Sequence, residues 1–529
     1  MDQYGRRPDA AARRMSGLCG WLSSAPMAIG IERMAAPICR FERTPLKSAT
    51  HGAGAAALVG SIDCTSLLHE DGLIVALWGN PGQDVHLLAQ RWRSHGPWAC
   101  STLTGQFAFA ILDERSGEGL LAVDRFATRP LYYQSCGDSL IFASTQDALL
   151  RHPLAGRDVA AQALYQYLVL GAMHGSAWEG QQQLGPGECV HLRSGRGVRH
   201  TWWRMRFHEH ADIHADGHCT GLGAALQQVL ADAGGDQQTG VMLSGGVAST
   251  TLAMLLQEQD TGCREPVPTF SVAYAGASSA DPAREVVKLL GGRRHDRQQY
   301  HHHQVVAPSD LVDAIPRLAA LSDRPCGDSD AVGHYYCALL ARGQGTLRLF
   351  SGAGLLNLFG AGPLALPRPG LAAWLWAHWQ QWSRPADARY AERDFPAQLV
   401  QASPFYTAGL APGFMAQLQD GRGGCDAPLA LLRNWWWSAQ CRSATNRAIS
   451  LDVRQSLAPR LAASQLGCGL AGVDVAFPFL DETVLDCAAH TDPRQKHRGH
   501  WSAHARTLRD LASGVPQRRA PATTLPLAA

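Results

Sequence analysis

The stretch LSGGVAST, Leu243–Thr250, closes the short apolar run TGVML (Thr239–Leu243) and opens a helical pattern from Ser249 onward. Two consecutive glycines between a strand and a helix let the backbone turn tightly and approach an anion. The hydroxyls of Ser244, Ser249 and Thr250 and the amides of the first helical turn then point at it. The positive end of the helix dipole favours negative charge at the same place. Leu243, Ser244, Gly245, Gly246, Ser249 and Thr250 are therefore the candidate phosphate-binding residues. A glycine pair before a helix is also an ordinary turn, so the surroundings must carry the reading. Ser244 has no histidine or lysine base at a readable spacing, which sets aside a serine nucleophile.

Downstream the same rhythm repeats. PTFSVAY (Pro268–Tyr274) precedes the helical DPAREVVKLL (Asp281–Leu290), and TLRLF (Thr346–Phe350) precedes a glycine-rich turn. Strand–helix alternation implies a parallel sheet whose strand ends face a ligand crevice. Beyond Leu371 the chain reads as helical, with Trp374, Trp376, Trp379, Trp382 and Trp435–Trp437 as packing aromatics. Upstream, from Gly17 to about Arg206, short strands dominate: GLIVALWG (Gly72–Gly79), FAFAILD (Phe107–Asp113), GLLAVDR (Gly119–Arg125) and LYYQSCGDSLIFAS (Leu131–Ser144). Only two helices interrupt them, near Val85–His95 and Ala160–Leu170. Between the halves, the histidine-rich FHEHADIHADGH (Phe207–His218) reads as a polar linker rather than a metal site. His301, His302 and His303 read as a solvated loop, because no acid or cysteine stands at a ligand spacing.

Composition narrows the classes. The 529 residues are 46% hydrophobic and 17% charged, which excludes a mostly disordered chain and leaves room for two large domains. Lys plus Arg 47 against Asp plus Glu 45 leaves a formal +2 without any basic block, so nucleic acid is not an expected partner. Fourteen cysteines with no CxxC pair argue against structural zinc and a disulfide scaffold, and a reducing cytoplasm is expected. The basic opening MDQYGRRPDAAARR lacks the apolar run of a secretory signal, and no stretch spans a membrane; Met1 and Met15 both stay open as the start.

These segments together carry a resemblance. SGGVAS is similar to the pyrophosphate loop of AMP-forming synthetases, and from about Met15 to Arg519 the chain resembles the asparagine synthetase family. TFSVAY (Thr269–Tyr274) resembles the family's second strand, whose backbone near Val272 would meet adenine. SDRPCGDSDA (Ser322–Ala331) resembles an acidic loop holding Asp328, and FSGAGLLNLFG (Phe350–Gly360) a second pyrophosphate turn with Ser351 and Gly352. FPFLDETVLD (Phe477–Asp486) and KHRGHWSAHARTLR (Lys496–Arg509) resemble the closing segments. GQFAFAILD, VDRFATRPLYY (Val123–Tyr133) and LGPGECV (Leu184–Val190) are similar to the amidotransferase-like domain that precedes such synthetases.

The implied fold is α/β: a β-rich amidotransferase-like sandwich over residues 15–207, then a parallel-sheet synthetase domain over residues 219–529 with a helical C-terminal part. Residues 1–14 would be a flexible extension and 208–218 the linker. The resemblance implies ATP with magnesium, and Asp328 and Arg506 as catalytic residues. Departures bear on the activity. Ammonia production needs a cysteine at the mature N-terminus, whereas Cys19 lies four positions after Met15 and reads as a buried strand residue. AALVGSID (Ala56–Asp63), WGNPGQ (Trp78–Gln83), read as a compact turn, and DVHLL (Asp84–Leu88) lack the arginine and paired acids of a glutamine pocket. Ala248 and Leu356 stand where the family carries magnesium-binding aspartates, and Ser502 where it carries a lysine, while Arg506 is kept; Asp281, Asp323 and Asp328 remain, either as water-mediated magnesium ligands or as surface and capping residues. Branches with an inert first domain, the β-lactam and lasso-peptide macrolactam synthetases, use an amine already present in the substrate, and Asn357 resembles the lasso branch. The readings left open are such a cyclase acting on a peptide precursor alongside a leader-processing protein, an asparagine synthase using free ammonia, and a non-catalytic nucleotide-binding scaffold.

Overall fold

The computed structural model describes residues 16–23, 26, 29–39, 46–52, 54–60, 65–81, 84–193, 196–209, 215–233, 238–258, 267–275, 282–291, 300–319, 329–360, 394–401, 403, 427–493 and 496. Among the described residues the first half holds twelve strands: β1 (Gly17–Leu22), β2 (Leu46–His51), β3 (Gly54–Val59), β4 (Thr65–Glu70), β5 (Leu73–Pro81), β6 (Gly105–Asp113), β7 (Glu118–Val123), β8 (Tyr132–Cys136), β9 (Ser139–Ala143), β10 (Gln181–Gln183), β11 (Glu188–Arg193) and β12 (Arg196–Thr201). They form two antiparallel sheets, ordered β10-β8-β9-β1-β3-β2 and β12-β11-β7-β6-β5-β4.

The alternation in FAFAIL explains how these sheets stack. Ala108 and Ala110 face inward, packing with Leu18, Leu58 and Phe142 of the other sheet, and small residues there let the sheets approach. Phe107 and Phe109 face outward, beneath Leu88 and Trp92 of the helix Val85–His95. The outer face of the first sheet is likewise covered, by the short helices Ile31–Ala35 and Gln146–Leu150. Both faces of each sheet are buried, which is why β3 and β6 read as nearly continuous apolar runs. These two helices, five residues each, are too short to show a 3.6-residue period and go beyond the two helices legible in the sequence. WGNPGQ also differs from the expected turn: β5 runs on to Pro81, pairing Gly79 with Phe107 and Pro81 with Gly105.

The second half holds β13 (Thr239–Met242), β14 (Thr269–Tyr274), β15 (His301–Val306), β16 (Arg348–Phe350) and β17 (Asp474–Ala476) in one parallel sheet, ordered β15-β14-β13-β16-β17. The histidine run is thus a strand and not a solvated loop. His301 and His303 share one face, bonding Thr269 Oγ1 at 2.9 Å and Ser271 Oγ at 2.8 Å, while His302 stacks on Phe270 from the other. β15 is an edge strand whose polar side chains find polar partners on β14, so hydrophobic periodicity could not reveal it. The expected linker is also partly structured. The helix Ala215–Ala233 starts inside it, and Phe207 is buried.

The two halves are joined by residues whose role the sequence did not disclose. Asp124 accepts from the Phe107, Phe126 and Thr128 amides and from Thr128 Oγ1, closing the DRFAT turn. That turn delivers Arg129, 4% exposed, across the interface to Gln465 Oε1 at 2.7 Å and Asp474 Oδ1 at 2.8 Å, its guanidinium stacked 5.2 Å from the Trp78 ring. Asp474 is half-exposed and keeps Arg348 at 3.7 Å, so removing Arg129 costs chiefly its bond to Gln465 and its contact with Trp78. Arg129→Ala is expected to lower unfolding free energy by about 2 kcal/mol in urea titrations, with the largest loss in probes of the interface.

Candidate active site

The strand order places a topological switch at β13: the chain moves from β13 to β14 and β15 on one side and to β16 and β17 on the other. Crevices at such points, beyond the carboxyl ends of the strands, are where open α/β sheets bind ligands. Both glycine-rich turns emerge there. Leu243, buried, donates its amide to the Phe270 carbonyl at 2.8 Å and anchors the first turn beside β14. Gly245 then takes φ +80°, a left-handed conformation that glycine adopts without strain, and a Cβ on it would stand 2.5 Å from the Pro282 carbonyl carbon. The helix starts at Val247, two residues ahead of the expected Ser249.

The hydroxyls organise the loop. Buried Ser249 Oγ lies 3.0 Å from Ser244 Oγ, receives the Ser244 amide at 3.2 Å and donates to the Gly246 carbonyl at 3.2 Å. Ser244 and Gly246 are exposed, and the Gly246 amide donates to Ser244 Oγ at 3.3 Å. The second turn presses on the first. A Cβ on Gly352 would come within 2.8 Å of both Ala248 Cβ and the Ser249 nitrogen. Ser351, buried, donates its amide to the Ala476 carbonyl of β17 and accepts the Ala353 amide. Val272 sits partly buried on β14. The structure therefore brings Leu243, Ser244, Gly245, Gly246, Ser249, Thr250, Ser351 and Gly352 together, with Val272 on the neighbouring strand. Asp281, Asp323, Asp328, Ser502 and Arg506 lie outside the described residues.

ATP with magnesium is the pair the family resemblance implies at this crevice. The phosphate half fits: the first amides of a helix have no intrahelical partners, Thr250 Oγ1 is buried without a hydrogen bond, and a Cβ on Gly246 would meet only Ser244 Oγ at 3.4 Å. The metal half does not fit at the two expected positions. Ala248 and Leu356, the latter 44% exposed, offer no oxygen. Asn357 is engaged elsewhere: its Nδ2 donates to buried Asp452 Oδ2 at 2.7 Å, and Ser456 Oγ donates to Asp452 Oδ1.

Sequence reasoning also missed a cluster behind the second turn. Lys496, 3% exposed, approaches Gly360, donates to Asn446 Oδ1 at 3.1 Å and lies over the Phe207 ring. Glu209, from the expected linker, accepts from Asn446 Nδ2 and the Arg442 and Ser443 amides. Burial pushes the Lys496 pKa down to about 7 despite the Glu209 carboxylate, whose own pKa is lowered by these donors against its burial. In the first half, Cys19 is wholly buried in β1 between β3 and β9, and burial pushes its thiol far up. Near the linker, His208, Asp486 and His490 bring donor atoms within 4.8 Å of one another. The imidazoles are stacked 4.1 Å apart and nearly parallel, so their in-plane lone pairs run side by side and do not converge.

The asparagine synthase family model matches residues 223–518. The chain belongs to this family. A glutamine amidotransferase domain model matches residues 80–203, in agreement with the order expected from the motifs. Two asparagine synthetases (glutamine-hydrolysing) of Bacillus subtilis strain 168 are similar to it. Synthetase 1 is 26% identical over 289 residues, covering 53% of this chain and 43% of its own; synthetase 3 is 23% identical over 252 residues, covering 44% and 40%. The matches thus span less than half the length of these relatives. Among solved structures, a glutamine phosphoribosylpyrophosphate amidotransferase from B. subtilis, complexed with ADP and GMP, covers 68% of this chain and 84% of its own. Its identity of 13% and TM-score of 0.25 are too low to carry a fold argument. Family membership, the antiparallel sandwich and the parallel sheet agree with the α/β expectation. Among the described residues, no helix is long and apolar enough to cross a membrane.

Proposed function

We propose that this chain is an ATP-dependent amide-forming ligase whose amine comes from the substrate itself, as in closure of a peptide's N-terminal amine onto an acidic side chain. The observation that carries the reading is an anion cradle at the switch point combined with a first domain whose Cys19 is buried in a sheet. A thiol walled in this way has neither access to glutamine nor a free α-amine as its base. In the proposed reaction a substrate carboxylate attacks the α-phosphorus of ATP and pyrophosphate leaves. The amine then attacks the acyl carbon, AMP leaves and the amine proton passes to solvent. The chain's share is positioning: the amides and hydroxyls of the two turns hold the departing phosphates, and Asp328 and Arg506 are proposed at the reacting end. The partners proposed are a peptide precursor and a leader-processing protein, in the cytoplasm.

Incubation with ATP and a precursor peptide is expected to give AMP and a product lighter by one water. Conversion of aspartate and ammonium to asparagine would instead establish the ammonia-using synthase. Ala248 and Leu356 favour a second reading, a nucleotide-binding scaffold without turnover, and a paired substitution separates the two. For a ligase weakened by its missing carboxylates, Ala248→Asp with Leu356→Asp is expected to raise magnesium-dependent AMP release by about tenfold. Unchanged release would favour the scaffold.

A further inference from the structure

A protein that holds the magnesium of a nucleotide triphosphate adds one or two carboxylates to the phosphate and water oxygens around the ion. Neither turn at the crevice can do so: Leu243–Thr250 and Phe350–Gly360 contain no Asp or Glu. The packing closes the gap further. The second turn lies directly on position 248, where a Cβ on Gly352 would stand 2.8 Å from Ala248 Cβ. In the single helical turn Leu355–Leu358, Leu355 and Leu358 are buried and Asn357 is bonded to Asp452, so the position left exposed is the alkyl side chain of Leu356.

Described acids on the elements that follow the strands are committed elsewhere. Glu285, after β14, accepts from Lys288 Nζ at 2.7 Å, and Asp310, after β15, accepts the Ala307 amide at 2.8 Å. Asp481, after β17, accepts the Thr483 amide at 2.9 Å, and buried Asp452 accepts from Asn357 and Ser456. What the first turn offers a phosphate is positive charge of another kind. The helix Val247–Glu258 begins in it, and the helix Pro282–Gly291 begins against it: a Cβ on Gly245 would stand 2.5 Å from the Pro282 carbonyl carbon and 2.8 Å from the Ala283 nitrogen. Each helix N-terminus carries about half an elementary charge, so the pair presents about one, fixed in the backbone and independent of any ion.

We propose that this crevice binds ATP without holding its magnesium. The phosphates are read by backbone amides, hydroxyls and the two helix N-termini, and a metal that arrives on the nucleotide keeps phosphate and water oxygens as its ligands. By linkage, magnesium changes the affinity for ATP only as far as the site tells the complexed nucleotide from the free one. Metal-free ATP is the more negative of the two, so the helix ends do not disfavour it. The inference rests on reading the crevice as a nucleotide site and not on turnover, so it holds for the ligase and the scaffold alike.

The test is calorimetric titration of ATP into the full chain in magnesium, in calcium and in EDTA. The dissociation constant in EDTA is expected to match that in magnesium within about threefold, or to be tighter. Calcium, which takes a larger and looser oxygen shell, is expected to give the same value. Ala248→Asp with Leu356→Asp is the contrasting protein. Its added carboxylates repel the phosphates unless a metal bridges them, so it is expected to bind ATP at least about tenfold more tightly in magnesium than in EDTA. Should it fail to fold, Leu356→Asp alone, at an exposed position, is expected to shift the same ratio severalfold. Magnesium tightening ATP binding to the parent by more than about threefold would overturn the proposal; the nucleotide site would stand, with its metal assigned to Asp281, Asp323 or Asp328. Substituted proteins as indifferent to metal as the parent would overturn it too, because those positions would then not face the phosphates. No binding of ATP under any condition would overturn the nucleotide reading itself, and this inference with it.

Discussion

Gly246→Ala is expected to weaken ATP binding by about a hundredfold while leaving the melting temperature within a degree or two of the parent. The new methyl would meet only Ser244 Oγ, at an ordinary 3.4 Å, so nothing in the protein resists it. A phosphate lying against the backbone amides would. Gly245→Ala is the companion that fails for a different reason. Its φ of +80° costs an L-residue about 1–2 kcal/mol, and its Cβ would stand 2.5 Å from the carbonyl carbon of Pro282, a backbone atom that cannot swing aside. That variant is expected to lose both nucleotide affinity and thermal stability. Calorimetric titration of ATP into each protein, paired with thermal melts, reads the two effects separately. If Gly246→Ala bound ATP as the parent does, phosphates would not lie against this loop.

The contrast between these glycines shows what the sequence could disclose. A glycine doublet between an apolar strand and a helix is a local signal, and Leu243–Thr250 was legible because its turn is held largely by its own hydroxyls, whereas the approaches of Phe270, Pro282 and Gly352 left no mark in the motif. The sandwich was legible for a related reason: burial on both faces wrote long apolar runs into β6, β7 and β9. β15 was not legible, because its histidines are matched by Thr269 and Ser271 on a strand some thirty residues away in sequence. The same holds for Arg129. Its partners Gln465 and Asp474 lie more than three hundred residues on, and within its own motif it is one more basic residue in a turn. The departures at Ala248 and Leu356 could be read from the motifs, but the closeness of Gly352 to Ala248 could not. The second turn rests on the first helix where the family would place a carboxylate, so an aspartate at position 248 must point past Gly352 to reach a metal.

Lys496 gives the second large effect, and its sign follows from linkage. In the unfolded chain its ammonium titrates near 10.5; in the fold, burial brings this to about 7. Below about pH 7 both states carry the proton, and the fold bears the whole cost of burying the charge. Between about 7 and 10.5 the folded chain releases a proton that the unfolded chain keeps, so the unfolded state binds more protons and stability rises with pH. Above 10.5 both are neutral and the contribution is greatest, on the order of 5 kcal/mol above its acid value. Other groups titrate in the same window, among them the half-buried thiol of Cys441, so the informative quantity is the difference between parent and Lys496→Met. The methionine fills the space over Phe207 without a charge but leaves Asn446 Oδ1 without its donor, a cost that does not vary with pH. At pH 6 the variant is therefore expected to be the more stable protein, and near pH 10 the less stable, with the two curves crossing between. Urea denaturation at four or five pH values measures this directly. Parallel curves would mean that the lysine keeps its proton in the fold, with Glu209 as its counter-charge.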